Sequence, residues 1–195
     1  RQVLDRLANP SAIAAPIPIL AQAAASSGFI NARVDSDGVV REATPATDFS
    51  GERRFHLALS MLTVGGQPDK AQQLLQRAGP DGNILIPYAG STAHMRTVSY
   101  LSVLRGDVPA EALRGKYVLV GAWATGLGDA YPTPVSHDLS GMSGVEIIAN
   151  LLQAARDDVS YLRPAPAWNA LFSALPVLLA CLALWRLSPK RALLV

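Results

Sequence analysis

The segment from Pro164 to Trp185 constrains the fold more than any other part of the sequence, because its 22 residues carry no formal charge. At about 1.5 Å per residue, a helix of this length covers roughly the ~30 Å hydrocarbon core of a bilayer. Trp168 and Trp185 stand near its two ends, and basic residues follow from Arg186 onward. This pattern predicts one transmembrane helix, with the chain before it outside the cytoplasm and its C-terminal end in the cytoplasm.

Another interpretation of this segment stays open, because Asn169 and Pro176 interrupt it. Both residues also fit a buried helix of a larger soluble domain. With the membrane interpretation, we expect three parts: a sensor domain over residues 1–160, the transmembrane helix over 164–185 and the start of a cytoplasmic segment over 186–195.

The charge balance and the single cysteine exclude several kinds of site. The 17 basic and 15 acidic residues form no basic stripe, so we expect no nucleic acid partner. Cys181 lies within the apolar segment and leaves the rest of the chain without an internal disulfide or a thiolate metal site. The three histidines lie far apart in sequence. We therefore expect neither a metal nor a cofactor.

The pattern before the apolar segment predicts an α/β fold with a partial mixed or parallel sheet, flanking helices and a β-hairpin. The predicted hairpin runs from Phe29 to Ala43, with Gly38 supplying a positive φ angle. Tyr117–Val120 is the clearest predicted strand, since β-branched and aromatic residues fill it. We also predict an inner strand at Ile84–Ile86. The remaining predicted helices are a short core helix after the extended start of residues 12–25, and helices over 53–64, 69–78, 99–105 and 145–156.

A glycine-rich loop follows the predicted strand at Tyr117–Val120. The carboxyl ends of inner strands are where open α/β sheets bind ligands, so Thr125, Gly126, Gly128 and Asp129 are candidate ligand-binding residues. The loop lacks the lysine of a P-loop and the glycine spacing of a dinucleotide-binding motif. A purely structural role, as a tight exit from the strand, is the alternative interpretation.

Glu146 and Asn150 lie four residues apart on the predicted helix over 145–156 and are candidates for the same cleft. Ser143 is placed to cap that helix at its N-terminus. A Glu in the first turn of a helix is also favoured by the helix dipole, so a structural role for Glu146 stays open.

The string from Arg114-Gly115-Lys116 through Gly128-Asp129 and Thr133-Pro134 to Asn150 resembles the C-terminal part of CHASE2 domains. The hairpin at Asp37–Arg41, the Leu57–Leu59 helix and the Ile86–Gly90 segment support the resemblance, which covers about residues 10 to 160. The N-terminal half of the family pattern is missing before Arg1, so we expect an incomplete sheet.

The resemblance implies an extracytoplasmic sensor of a bacterial receptor with a histidine kinase, nucleotide cyclase or Ser/Thr kinase as output, and it assigns no ligand. We expect no catalytic residue in this chain. The expected partners are an unknown small-molecule or envelope stimulus, the lipid bilayer and a second copy in a homodimer. Two alternatives stay open: a membrane-tethered enzyme that uses the cleft around Asp129 and Glu146, and a passive domain for subunit association.

Overall fold

The computed structural model describes residues 14–122, 129–136, 141–161 and 166–186 of the chain. Within these ranges the chain has a mixed α/β structure with small antiparallel sheets. Two compact units are distinguished, Arg1–Tyr161 and Leu162–Val195. The helices are α1 (Pro18–Ala23), α2 (Leu57–Val64), α3 (Pro68–Gln76), α4 (Tyr100–Leu104), α5 (Gly144–Arg156) and α6 (Pro166–Arg186), and the strands are β1 (Ala32–Val34), β2 (Val40–Ala43), β3 (Ala46–Phe49), β4 (Glu52–Phe55), β5 (Ile84–Leu85), β6 (Ala130–Tyr131) and β7 (Met142–Ser143).

The predicted hairpin is formed by β1 and β2. The two strands pair antiparallel, with Ala32 opposite Ala43. In the turn between them, Gly38 N donates a hydrogen bond to Asp35 O at 2.9 Å. Gly38 has a φ of 83°, a backbone conformation that residues with a Cβ rarely adopt. The prediction that Gly38 supplies the positive φ angle is confirmed.

The main sheet is antiparallel, with the strand order β1-β2-β5. β5 pairs with β2 through Ile84 opposite Ala43 and Leu85 opposite Glu42. The prediction of an inner strand of a parallel sheet at Ile84–Ile86 is therefore wrong, because β5 is an edge strand and antiparallel to its neighbour. A short apolar run fits either position, since periodicity alone cannot separate a strand covered on both faces from one covered on a single face.

The predicted strand at Tyr117–Val120 is not formed in the described part of the chain. Val118 is 49% exposed and Val120 is 74% exposed, so neither is a core residue. Side-chain packing holds Tyr117 instead, with the Arg156 guanidinium 5.6 Å from the centre of its ring. High β-propensity expresses how well a side chain fits a sheet surface, and it makes no strand where no neighbouring strand is available. The parallel sheet predicted around this segment is wrong for the same reason.

The predicted short core helix near the N-terminus exists as α1, but it has no buried residue. Ile17, Ile19 and Leu20 are all exposed. The prediction is right about a helix in this segment and wrong about its place in the core.

The core lies where α2, α3 and α5 pack together beneath β2. Leu62 of α2, Leu74 of α3 and Leu151 of α5 are almost fully buried, and Val40 of β2 meets them at 0% exposure. The predicted helix over 53–64 is confirmed from Leu57 onward, whereas residues 53–55 belong to β4 and His56 is the N-cap residue of the helix. The predicted helix over 145–156 is confirmed as α5.

The predicted transmembrane helix at 164–185 is wrong. Over residues 14–122, 129–136, 141–161 and 166–186, no helix combines the length and the apolar character that crossing a membrane requires. The segment forms α6, which carries the polar side chains of Asn169 and Ser173 and has Pro176 in its interior. The prediction relied on the absence of formal charge, a criterion that gives uncharged polar residues no weight.

Candidate functional site

The candidate site is arranged around the N-terminal end of α5. Ser143 is the N-cap residue, and its Oγ accepts a hydrogen bond from Glu146 N at 3.4 Å, which confirms the predicted cap. The pairing of β6 with β7 brings Asp129 beside the start of the helix, where Gly144 N donates to Asp129 O at 3.1 Å. A Cβ added at Gly144 would lie 2.6 Å from Asp129 Oδ1, so the close approach of this carboxylate depends on the glycine.

Asn150 is completely buried and joins α5 to the loop that follows β5. Its Oδ1 accepts a hydrogen bond from Ala89 N at 2.9 Å, and its Nδ2 donates to the backbone oxygen of Glu146 at 2.9 Å. Both ends of the side-chain amide are therefore paired within the protein. Asn150 holds the loop in place, as buried amides commonly do.

Glu146 lies one turn earlier on the same face of α5 and is 2% exposed. Its Oε2 accepts a hydrogen bond from Ala93 N at 3.3 Å. Its Oε1 is buried without a hydrogen bond to any described residue, and His94 Nδ1 lies 3.8 Å from it. Ala93 has a φ of 67°, which is uncommon for a residue with a Cβ. Glu146 thus binds the same loop as Asn150, and it does so at Ala93, where the loop backbone is strained.

A cavity of about 410 Å³ lies on another side of α5. We call it the α5 cavity. Its walls include Ala32 and Val34 of β1, Val40 and Ala43 of β2, and Val145 and Ile148 of α5. These side chains make a mostly apolar interior between the hairpin and the helix.

Asp129 lines the α5 cavity, whereas Glu146 and Asn150 do not. The structure therefore does not bring the three described candidate residues into one cleft. The side-chain oxygens of Asp129 have no hydrogen bond or ion pair with a described residue. In this they differ from the side-chain amide of Asn150, whose oxygen and nitrogen are both hydrogen-bonded. Thr125, Gly126 and Gly128 lie outside the described residues.

His56 is a wall residue of the α5 cavity that was not among the candidate site residues. It is the N-cap residue of α2, and its Nδ1 accepts a hydrogen bond from Ala58 N at 3.2 Å. Burial lowers the pKa of His56 to about 4, so the ring is neutral near pH 7. Because Nδ1 accepts, the ring proton belongs on Nε2. A histidine directly before an apolar helix is the signal in the sequence that could have identified this cap.

Metal chemistry finds no support in the described residues, where no group of three or more His, Cys, Asp or Glu side chains is placed to hold an ion. His56 and His94 each lie beside different partners, Ala58 and Glu146 respectively. The described walls of the α5 cavity are instead mostly apolar.

The family model of the CHASE2 domain matches residues 1–187 of the chain. No curated protein shows a significant match to the sequence. No solved structure shows one either.

Proposed function

Because the chain belongs to the CHASE2 domain family, we propose that it is the signal-input domain of a bacterial receptor. CHASE2 domains are sensory domains of signalling receptors. In this proposal the domain binds its stimulus outside the cytoplasm, and an output domain elsewhere in the full protein carries out the reaction that the stimulus controls. The resemblance of the sequence favours a histidine kinase, a nucleotide cyclase or a Ser/Thr kinase as that output.

The observation that carries the proposal is the position of α5 between the α5 cavity and the end of its unit. Val145 and Ile148 line the cavity, and the helix ends at Arg156. The chain reaches the end of the unit at Tyr161, five residues later. A molecule in the cavity thus contacts the helix that directly precedes the exit of the chain, so its binding can act on the chain beyond Tyr161.

The other side of α5 is fixed to the loop after β5. Asn150 and Glu146 bind Ala89 and Ala93 of that loop. A displacement of α5 therefore breaks or remakes buried hydrogen bonds, which favours two discrete arrangements over a continuous range. A ligand shifts such an equilibrium only by its difference in affinity for the two arrangements.

Filling the cavity tests this function in the full-length receptor. We expect Ala32→Phe to change the output activity per receptor molecule, because the added ring occupies the cavity as a ligand does. Ala110→Phe is the matched control, since Ala110 is exposed and does not line the cavity. The measurement is product formed by the output domain, divided by receptor abundance from a quantitative immunoblot. Equal activity per molecule for wild type and both variants would contradict a sensory role for this cavity.

Placement outside the cytoplasm has its own test. Cys181 is the single cysteine, so Cys181→Ser gives a background without thiols in this chain. In that background, Ser26→Cys puts a thiol at an exposed position of the first unit. We expect a membrane-impermeant maleimide to label it in intact cells. Labelling that requires cell lysis would place the domain on the cytoplasmic side.

The alternative of a membrane-tethered enzyme has less support. The described lining of the α5 cavity contains one acid, Asp129, and one neutral histidine, His56, but no Ser, Thr, Cys or Lys that could act as a nucleophile. CHASE2 domains are sensory and not catalytic. Association of the domain into a homodimer is compatible with the sensory proposal and is measured by cross-linking of the full-length receptor.

A further inference from the structure

We propose that the α5 cavity binds a small cationic amine with an apolar body, held by the Asp129 carboxylate at one end and by the apolar walls along the rest. This inference rests on the proposed sensory function and adds the chemical class of the ligand.

The size of the cavity agrees with a molecule of this kind. Small-molecule sites have volumes of roughly 300–1,000 Å³ and mostly apolar linings with a few polar groups. The α5 cavity holds about 410 Å³, toward the lower end of this range. One aromatic ring system with a short side chain fits such a space, whereas a peptide or an oligosaccharide does not.

The walls select an apolar body. Val34 and Val40 face the cavity from the hairpin, and Val145 and Ile148 face it from α5. Removing apolar surface from water contributes about 25 cal/mol per Å². These side chains hold no ligand in a fixed orientation, so orientation depends on the polar residues.

The charge selects the polar end of the ligand. Among the described residues that line the cavity, Asp129 alone carries a formal charge at neutral pH. The side chain of Asp129 is half-buried, and no described residue neutralises it. An anionic ligand would place a second negative charge beside this carboxylate, while an ammonium group would form a charge-assisted hydrogen bond with it.

His56 adds no opposing charge. Its Nδ1 is already engaged with Ala58 N, and the ring is neutral when Nε2 carries the proton. A protonated histidine in this wall would repel an amine and attract an anion. Because the His56 ring is neutral, Asp129 determines which ligand charge the cavity prefers.

Two compounds with the same indole body and opposite charge test the preference. Tryptamine carries an ammonium group, and 3-indolepropionate carries a carboxylate. Each is titrated into the purified full chain by calorimetry, with thermal unfolding as a second measurement. We expect tryptamine to bind roughly tenfold more tightly, because a difference of about 1.4 kcal/mol between an attracted and a repelled charge is a factor of ten.

Two substitutions assign the binding to the cavity. Asp129→Asn is expected to abolish the preference for tryptamine and to leave the fold intact, since the Asp129 carboxylate has no described partner to lose. Ala32→Phe is expected to block both compounds, and Ala110→Phe is expected to leave their affinities unchanged. If Ala32→Phe lowers the unfolding temperature in the absence of compound, Val34→Phe replaces it as the blocking variant.

The inference is overturned if neither compound binds to the wild-type chain, if 3-indolepropionate binds as tightly as tryptamine, or if the preference persists in Asp129→Asn. These outcomes differ from failure of the proposed function, which is read from the output activity of Ala32→Phe. Binding of tryptamine with an unchanged output would refute the sensory role and keep the ligand class.

Discussion

At the scale of single residues, His56 links the stability of the domain to pH. It lies in a wall of the α5 cavity at 2% exposure, with the ring of Phe29 packed edge-on at 5.5 Å. Burial penalises the charged imidazolium, which is why the pKa of His56 falls to about 4 from its ordinary value of 6.5. The neutral ring is also the form that caps α2.

The difference in pKa predicts how stability changes with pH. Since the folded-state pKa is the lower one, the unfolded chain binds the proton of His56 first, and the free energy of unfolding falls as the pH drops from 6.5 to about 4. The contribution is complete above pH 6.5 and corresponds to roughly 3 kcal/mol. Denaturant unfolding at a series of pH values measures it.

His56→Asn is the control for this prediction, because Asn also accepts a hydrogen bond at an N-cap but does not titrate. We expect the slope between pH 4 and 6.5 to flatten in this variant. An unchanged slope would assign the pH dependence to other groups.

A second residue-scale prediction concerns Asn150. Asn150→Leu keeps the shape of the side chain but leaves Ala89 N without its acceptor, so we expect a loss of about 2 kcal/mol in the free energy of unfolding. Gln153→Met on the same helix is the matched control. Gln153 is only half-buried, so a change within about 0.5 kcal/mol is expected. Equal losses in the two variants would argue against the buried amide as the attachment of this loop.

At the scale of elements, Tyr117–Val120 has strong β-propensity but pairs with no strand in the described part of the chain. Its two valines are exposed, Val118 for 49% and Val120 for 74% of their surface. By contrast, Val40 lies in the paired strand β2 and is fully buried. The same residue type therefore occupies two very different environments.

This contrast predicts different costs for the same substitution. Val40→Asp buries a carboxylate without a partner and should cost several kcal/mol or prevent folding. Val118→Asp places the charge at a half-exposed position, and we expect less than about 1 kcal/mol. Thermal unfolding of the two variants gives the comparison. Similar damage at both positions would mean that Tyr117–Val120 pairs as a strand after all.

At the scale of the whole molecule, α5 carries the cavity wall, the buried contacts to the loop and the last turn before the end of its unit. Just after α5, Asp158 pairs with Lys70 of α3 and with Arg77, the residue that directly follows α3. The hydrogen bond from Lys70 holds the pKa of Asp158 below its ordinary value. These exposed pairs contribute little to stability. They nevertheless link the segment after α5 to the region of α3.

We therefore expect Asp158→Asn to change signalling more than folding. In the full-length receptor, this variant should keep nearly the same unfolding temperature and change the output activity per molecule. Asp157→Asn is the control, since it removes the same charge one residue earlier, where the structure shows no ion pair among the described residues. Identical outputs from the two variants would remove the attachment to α3 from the proposed relay.

The sequence by itself determined the features that depend on residues close together in the chain. The turn at Gly38 and the cap at Ser143 follow from local backbone chemistry, and the family follows from motifs spaced between Arg114 and Asn150. Helix α5 follows from its apolar spacing. For the turn, the cap and the helix, the determining contacts lie within a few positions, so the sequence contains them directly.

Only the tertiary structure decided which face of α5 meets the cavity and which segments find partners. Glu146 and Asn150 were predicted beside Asp129, but packing turns them toward Ala89 and Ala93 of a loop more than fifty residues earlier. His56 lines the cavity together with residues of β1 and α5 that are likewise distant from it in the sequence. The direction of β5 and the lack of a strand partner for Tyr117–Val120 follow the same principle. Burial and pairing are properties of partners distant in sequence, and no local pattern specifies them.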